Sequence, residues 1–336
     1  MKYALMVGGI GWLILMFAAN AGAETTLLNA SYDVTREFYK DYNPLFQAYW
    51  KQKTGKDVVI KQSHGGSSKQ ARAVAEGLEA DVVTMNQSID IDFLADKKLV
   101  SADWAKRFPN DSAPTTSTIV FLVRKGNPRQ IKDWNDLVKP GIQLVIPNPK
   151  TSGNGRYTYL AAWGYVVKNG GNEAQAIEFV SKLFKNVVVL DTGGRGAATT
   201  FVQRGIGDVL VTFESEVIPI NKEFGDQAKL DVVYPSLSIL AENPVAVVDR
   251  FVDKHNTRTE AHAYLEYLYS DEGQELAAQH YLRPRSAKIL ARYKSLFKPV
   301  RLFTVNEVFG SFKNAQKIHF DDGGQFDKIF AAAGRN

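Results

Sequence analysis

A strand, a turn rich in glycine or serine, and then a helix recur along this chain, and this repeat restricts the fold more than any other feature. Each unit joins a short run of β-branched residues to apolar residues at helical spacing. Such alternation predicts an α/β protein with largely parallel sheets. Pro44 is expected to kink or interrupt the first helix. The four clearest units join residues 26–30 to 34–51, 58–62 to 68–79, 144–147 to 157–168, and 187–190 to 197–204.

Two further strand-like segments predict a division of the chain into two lobes. Residues 117–123 follow a turn-rich stretch, and residues 238–248 are interrupted by Asn243-Pro244. If the chain leaves the first lobe in one segment and returns in the other, residues 24–112 plus 245–336 form lobe I and residues 113–244 form lobe II. The two crossings then act as a hinge beside a cleft, and ligands bind in such clefts at the carboxyl ends of strands.

The turns that precede the four helices have the chemistry of an anion site. The first N–H groups of a helix have no partner within it and carry about half a positive charge. Serine adds a hydroxyl donor, and glycine lets the backbone approach a ligand. Several such helix ends facing one cleft would suit a small tetrahedral anion. Any single turn fits an ordinary capped helix better, so the pattern alone leaves both interpretations open.

Composition excludes several other classes of protein. The 336 residues include no cysteine, which excludes a disulfide scaffold, a cysteine nucleophile and thiolate metal sites. The formal net charge of +5 is too small for a chain of this length to indicate nucleic acid as a partner.

The N-terminus has the layout of a secretory signal peptide. Lys2 precedes an apolar run that ends at Ala19, and Ala21-Gly22-Ala23 supplies the small residues for cleavage after Ala23. A retained membrane anchor is the alternative, since the run approaches the ~20 residues that span a bilayer. A lipid anchor of the bacterial kind needs a cysteine at the new N-terminus, and this chain has none. We therefore expect residues 1–23 to be removed and the mature protein to be a free monomer in a periplasm.

The turn and hinge segments resemble those of the periplasmic sulfate- and thiosulfate-binding proteins, which deliver anions to a membrane ABC importer. The resemblance covers essentially the whole mature chain. It implies a two-lobed binding protein of type II, with the permease of the importer as its partner, no cofactor and no catalytic residue. The segments that carry it are 27–33, 62–70, 147–153 and 190–196 at the turns, and 117–128 and 239–242 at the hinge.

In that family a buried dianion is held by neutral donors, and the matching motifs imply which residues supply them here. Hydrogen bonds to a charged group contribute about 1.5–3 kcal/mol each, so six or seven of them reach micromolar binding after the costs of association. By resemblance, Asp33, Ser67, Gly153, Asn154 and Gly194 donate backbone N–H groups, Ser152 donates its hydroxyl, and Arg195 helps to fix the fourth turn.

Two positions depart from the sulfate-type pattern. Phe213 stands where a tryptophan with an indole N–H on the anion is expected, and Asn154 stands where a second glycine is usual. Both changes resemble the thiosulfate-binding branch. The terminal sulfur of thiosulfate is larger than oxygen and a poorer acceptor, and an apolar ring would tolerate it. We therefore expect thiosulfate to bind at least as well as sulfate.

Other functions are considered beside this one. A binding protein for phosphate or molybdate is one, although hydrogen phosphate would leave its O–H without an acceptor in a site made only of donors. A Ser–His ester hydrolase is another, because His64 lies close to Ser63, Ser67 and Ser68. Sequence adjacency does not supply the oriented base that such a nucleophile needs. The five histidines lack metal-ligand spacing, so no metal is expected.

Overall fold

The computed structural model describes residues 25–224 and 230–333 of the chain, and the predicted signal peptide lies outside them. The strands are β1 (Thr25–Tyr32), β2 (Val58–Gly65), β3 (Val82–Thr84), β4 (Thr115–Ser117), β5 (Ile119–Arg124), β6 (Leu144–Pro147), β7 (Val187–Asp191), β8 (Val209–Phe213), β9 (Leu230–Val233), β10 (Leu237–Ile239), β11 (Ala241–Asn243), β12 (Val245–Val247), β13 (Arg283–Pro284) and β14 (Arg301–Phe303).

Helices connect and cover these strands. They are α1 (Arg36–Thr54), α2 (Ser67–Ala75), α3 (Ser88–Asp96), α4 (Pro109–Ser112), α5 (Trp134–Leu137), α6 (Gly153–Lys168), α7 (Glu173–Lys185), α8 (Gly194–Val202), α9 (Val217–Phe224), α10 (Asp249–His255), α11 (Arg258–Glu266), α12 (Asp271–Gln279), α13 (Ala287–Arg292), α14 (Val305–Phe309), α15 (Phe312–Ala315) and α16 (Gln325–Ala332). Short 3-10 segments cover Asp33–Thr35, Trp104–Lys106, Glu214–Glu216 and Tyr267–Tyr269, and Gln316–Phe320 is a π-helical turn.

Lobe I is built on a four-stranded sheet in the order β12-β3-β1-β2. Strand β1 is parallel to both β2 and β3, and β12 returns antiparallel to β3. Helix α1 buries Phe38, Tyr42 and Phe46, which recur every four residues and therefore share one face. The expected interruption at Pro44 is wrong, because α1 continues through this exposed position to Thr54.

Lobe II is built on a five-stranded sheet in the order β7-β6-β8-β5-β9. Strand β6 is parallel to β7 and β8, whereas β5 is antiparallel to β8 and β9. The sheets are therefore mixed, and the expectation of largely parallel sheets needs correction. The reason is that β5 and β12, the strands through which the chain enters lobe II and re-enters lobe I, both run antiparallel to their neighbours.

The two predicted crossings lie side by side. Strand β4 pairs antiparallel with β11, with Ser117 opposite Ala241. Beyond this pair, Thr118 Oγ1 donates to the carbonyl of Ile239 over 2.9 Å, and Ser238 Oγ donates to the carbonyl of Ile119 over 2.8 Å. These bonds join the two connecting segments into one short ribbon, which is the arrangement expected of a two-strand hinge.

The last part of the chain packs against lobe II, although we predicted residues 245–336 to belong to lobe I. Strand β14 pairs with β10, and α14 to α16 lie in the hydrophobic core that contains β5, β6 and α6. The physical reason is aromatic packing on α6. Phe303 lies over Gly164, a position without a side chain, and Phe320 and Phe326 pack edge-on against Tyr159 with ring centroids 5.1 and 6.0 Å apart. Apolar residues between Val245 and Leu282 lie in the hydrophobic core that contains β1, β2 and α1.

Candidate functional site

Three helices begin inside the glycine- and serine-containing turns that were predicted to precede them. Helices α2, α6 and α8 start at Ser67, Gly153 and Gly194, which are one, four and three residues earlier than the spacing of apolar residues indicated. No side chain caps the N-terminus of any of the three. Their first N–H groups are therefore not used by an N-cap residue and lack partners inside the helix, so they can serve a ligand.

The structure brings the four predicted turns together across the cleft. A β-carbon placed on Gly66 of lobe I would come within 3.1 Å of the carbonyl oxygen of Thr151 in lobe II. A β-carbon on Gly193 would come within 3.0 Å of Asp33 Oδ2. Glycine at these positions allows the backbones of the two lobes to approach each other. The cleft is thus closed: the turn before α2 meets the turn before α6, and the turn before α8 meets Asp33.

Asp33 links the first turn to the fourth. Burial raises the pKa of its carboxyl above the usual range, while the backbone N–H groups of Asp33 and Arg195 act in the opposite direction. The guanidinium of Arg195 donates to Glu223 over 3.0 Å, and its side chain is about half exposed. The structure therefore directs the charge of Arg195 toward Glu223 at the edge of the cleft.

A buried arginine that sequence reasoning missed bridges the two lobes. Arg156 in the first turns of α6 donates to Ser68 Oγ over 3.0 Å and to the carbonyl of Pro149 over 3.1 Å, and it lies 3.9 Å from Asp90 Oδ1. Burial lowers the pKa of this guanidinium, and Asp90 opposes that shift. A cation near a helix N-terminus is unfavourable for the helix dipole. An arginine at the start of a predicted helix was therefore the feature of the sequence that could have indicated a special role for Arg156.

A second missed residue is Glu216, a buried carboxyl group beside two of the predicted donors. Asn154 Nδ2 donates to Glu216 Oε1 and to Thr212 Oγ1, both over 2.8 Å, and Thr212 also binds Glu216 Oε2. A β-carbon on Gly194 would lie only 2.9 Å from the carboxyl carbon of Glu216. The pKa of Glu216 is raised to about 8. Burial is the largest cause and the charge of Asp33 acts in the same direction, whereas the hydrogen bonds from Thr212 and Asn154 act against it.

Phe213 lies in the core beneath the site. It is buried, and its ring packs edge-on against Tyr157 of α6 with centroids 5.7 Å apart. It offers no hydrogen-bond donor from its side chain. Its predicted part in anion selectivity stays a prediction, as do the individual donor roles of Asp33, Ser67, Ser152, Gly153, Asn154 and Gly194.

The residues considered for a hydrolase do not form a nucleophile–base pair. Ser63 Oγ donates to Gln70 Oε1 over 3.1 Å, and Ser67 Oγ points to Met85 Sδ at 3.5 Å, so neither is bonded to His64. Burial and the charge of Arg36 lower the pKa of His64 to about 4. In residues 25–224 and 230–333 no group of three His, Cys, Asp or Glu side chains is arranged to hold a metal ion.

Two α/β lobes that close over a set of backbone donors define a solute-binding protein, and comparison with known proteins agrees. Residues 33–283 match the family of bacterial extracellular solute-binding proteins. The chain belongs to this family. The predicted two-lobed fold of a type II binding protein is thereby confirmed.

Individual relatives are similar over nearly their whole length. The chain is 61% identical to a thiosulfate-binding protein of Pseudomonas aeruginosa over 318 residues, which cover 94% of this chain and 96% of the relative. It is 54% identical to the sulfate-binding protein of Escherichia coli over 323 residues, with 96% and 98% covered. The solved structure of the sulfate-binding protein SubI from Mycobacterium tuberculosis superposes with a TM-score of 0.80 at 31% identity, covering 89% of this chain and all of that one.

Within the described ranges, none of the helices combines the length and the apolar character that a membrane crossing requires.

Proposed function

We propose that this protein captures sulfate and thiosulfate in the periplasm and delivers them to an ABC importer. The observation that carries the proposal is the convergence of three uncapped helix N-termini on one closed cleft. The proposal is supported by the names of relatives at 61% and 54% identity, which are a thiosulfate-binding and a sulfate-binding protein. In this mechanism the open lobes admit the anion, and donors from both lobes close on it. The closed form, which binds the anion more tightly, docks on the permease.

Neutral donors suit a fully ionised dianion. Sulfate and thiosulfate carry no proton at neutral pH, so every oxygen accepts a hydrogen bond. Hydrogen phosphate brings an O–H that needs an acceptor, and an unpaired buried donor costs about 1–3 kcal/mol. At neutral pH Glu216 is largely protonated because burial raises its pKa to about 8. Its carboxyl is moreover already bonded to Thr212 and Asn154. We therefore expect the site to reject phosphate.

Phe213 favours acceptance of thiosulfate. The apolar ring supplies no donor and is buried against Tyr157. Such a ring would tolerate a sulfur atom, which is larger than oxygen and accepts hydrogen bonds poorly. The side chain of Asn154 is engaged with Thr212 and Glu216, so its backbone N–H remains the group that it can offer to an anion. We propose on this basis that thiosulfate binds at least as well as sulfate.

Calorimetric titration of the mature protein tests the proposed function. Sulfate and thiosulfate are expected to bind with dissociation constants of about 1 μM or tighter, and phosphate about 5- to 150-fold more weakly, the equivalent of about 1–3 kcal/mol for its unpaired O–H. Thiosulfate binding 100-fold weaker than sulfate binding would reject the thiosulfate part of the proposal. Failure of both anions to bind would reject the whole of it.

Removal of the Ser152 hydroxyl is expected to lower the affinity for both anions by about 10- to 150-fold. This is the equivalent of about 1.5–3 kcal/mol for one hydrogen bond to a charged group. Ser152 is buried at the N-terminus of α6 but does not cap it, so Ser152→Ala leaves helix stability nearly unchanged. Affinity is measured by calorimetry and stability by thermal unfolding.

Ser270→Ala is the matched control, because Ser270 does cap its helix by accepting from the N–H of Gly273 over 3.0 Å. This variant should lose about 1 kcal/mol of stability without losing anion affinity. Normal binding of both anions by Ser152→Ala would show that the start of α6 has been given the wrong role.

A further inference from the structure

The carboxamide of Asn86 lies between predicted anion donors of the two lobes. Asn86 follows β3 in lobe I, and its backbone N–H donates to Ser67 Oγ over 3.3 Å. Its side chain packs against Gly153 of lobe II. A β-carbon on Gly153 would lie 2.8 Å from Asn86 Cγ and 3.1 Å from Nδ2. The amide therefore occupies the space over the first residue of α6, next to the first residue of α2.

The carboxamide is buried but not fully paired within the protein. Asn86 is 3% exposed, and its Oδ1 has no hydrogen-bond partner in the part of the chain that the structure describes. Buried polar atoms without a partner are rare in native proteins, and each of them calls for an explanation such as a bound ligand. The location of this atom at the meeting point of the two lobes points to a ligand held between them.

The chemistry of the anion decides which end of the amide faces it. The two ends of a carboxamide have nearly the same shape, and rotation by 180° about the last side-chain bond exchanges oxygen and nitrogen. A fully ionised dianion has only acceptors, so the end that faces it must be the NH₂ group. We propose that Asn86 is a further ligand of the anion and donates a side-chain N–H to bound sulfate or thiosulfate. This inference rests on the proposed function.

The role is one of affinity and charge selection. Asn86 supplies a neutral donor from a side chain, in a site where the ring of Phe213 has none. Aspartate has the same shape but would place a carboxylate against a dianion, which like-charge repulsion in a buried site strongly disfavours. Leucine has a similar volume but offers no donor. The two substitutions therefore separate loss of the hydrogen bond from like-charge repulsion.

Titration of these variants with sulfate and thiosulfate at pH 7.5 tests the inference. Asn86→Leu should lower the affinity for both anions by about 10- to 150-fold, as loss of one charge-assisted hydrogen bond does. Asn86→Asp should lower it by more than about 1000-fold. Asn186→Leu is the matched control. Asn186 Nδ2 donates to the carbonyls of Leu137 and Lys139, both over 2.8 Å, at the end of the lobe II sheet opposite the cleft. This variant should melt at a lower temperature and bind both anions normally.

The outcomes separate the inference from the proposed function. If the wild-type protein binds neither anion, the proposed function fails. If the wild-type protein binds them and both Asn86 variants do so equally well, the function stands and the ligand role of Asn86 is overturned. Should a variant not fold, the side-chain amide signals of Asn86 in the wild-type protein decide by nuclear magnetic resonance. A shift on saturation with sulfate supports the role, and unchanged signals overturn it.

Discussion

Replacement of Gly155 by alanine is expected to lower the affinity for sulfate and thiosulfate by at least about 100-fold. The added β-carbon would meet the carbonyl oxygen of Pro147, and it would lie 2.7 Å from both the carbonyl carbon of Asn148 and the nitrogen of Pro149. These are backbone atoms of the segment that connects β6 to α6, so no side chain can rotate away to make room. The segment or the helix must move instead, and overpacking of this kind costs about 1–3 kcal/mol of stability.

The effect on binding exceeds the effect on stability because the displaced segment leads directly to Ser152, Gly153 and Asn154. Misplacing two or three donors together removes hydrogen bonds to a charged group that contribute about 1.5–3 kcal/mol each. Affinity is measured by calorimetry and stability by thermal unfolding of the same samples. A Gly155→Ala variant that bound both anions normally would show that the N-terminus of α6 does not hold them.

Gly126→Ala is the control, because it strains the backbone at a glycine outside the anion site. Gly126 has a φ of +77°, and a β-carbon there would meet no atom within 4 Å. Alanine at this position adds backbone strain of about 1 kcal/mol without a steric clash. The variant should lose a few degrees of melting temperature and keep its affinity, so that a general loss of stability is distinguished from loss of the anion site.

The features that could be predicted from the sequence are those that depend on local chemistry. Glycine and serine residues mark the turns in which α2, α6 and α8 begin. The two crossing strands are recognisable from their own composition. The starting residues were missed by a few positions, because Gly153-Asn154-Gly155 and Gly194-Arg195-Gly196 have low helix propensity and are included by tertiary packing.

The features that could not be predicted depend on contacts between distant segments. Arg156 meets Ser68 across 88 positions of sequence, and Asn154 meets Glu216 across 62. Residues 301–332 carry six phenylalanines, which indicate buried side chains without indicating which lobe buries them. Contacts with distant residues place this segment on lobe II, among them Phe303 over Gly164 and Phe320 and Phe326 against Tyr159.

Anion affinity is expected to stay constant from pH 6 to 7.5 and to fall about tenfold per pH unit above pH 8. Glu216 is fully buried, and burial raises its pKa to about 8. A dianion bound at the neighbouring Gly194 and Asn154 repels the ionised carboxylate and therefore raises its pKa further. Binding thus favours the protonated form. Below pH 8 Glu216 is already protonated and binding is independent of pH. Above pH 8 the anion binds only with uptake of a proton, which weakens its apparent affinity.

Other charged and titratable groups surround Glu216. Burial raises the pKa of Asp33, against the effect of the backbone N–H groups of Asp33 and Arg195, and burial raises the pKa of Tyr32 well above its usual value. Arg195 and Glu223 are paired with each other. Tyr32 of β1 interacts electrostatically with Glu216. The charged residues that line the small cavity beside Glu216 are Asp33, Arg36, Glu37, Arg195 and Glu223.

Substitution of glutamine isolates the contribution of Glu216. Glu216→Gln mimics the protonated carboxyl, because its amide oxygen still accepts from Asn154 Nδ2 and its NH₂ donates to Thr212 Oγ1. This variant should bind sulfate with unchanged affinity from pH 6 to pH 9.5. Glu223→Gln carries the same substitution at the edge of the same cavity and should retain the loss above pH 8. Titrations in two buffers of different ionisation enthalpy measure the proton taken up directly. A wild-type profile that is flat to pH 9.5 would mean that the anion and the Glu216 carboxyl are not coupled.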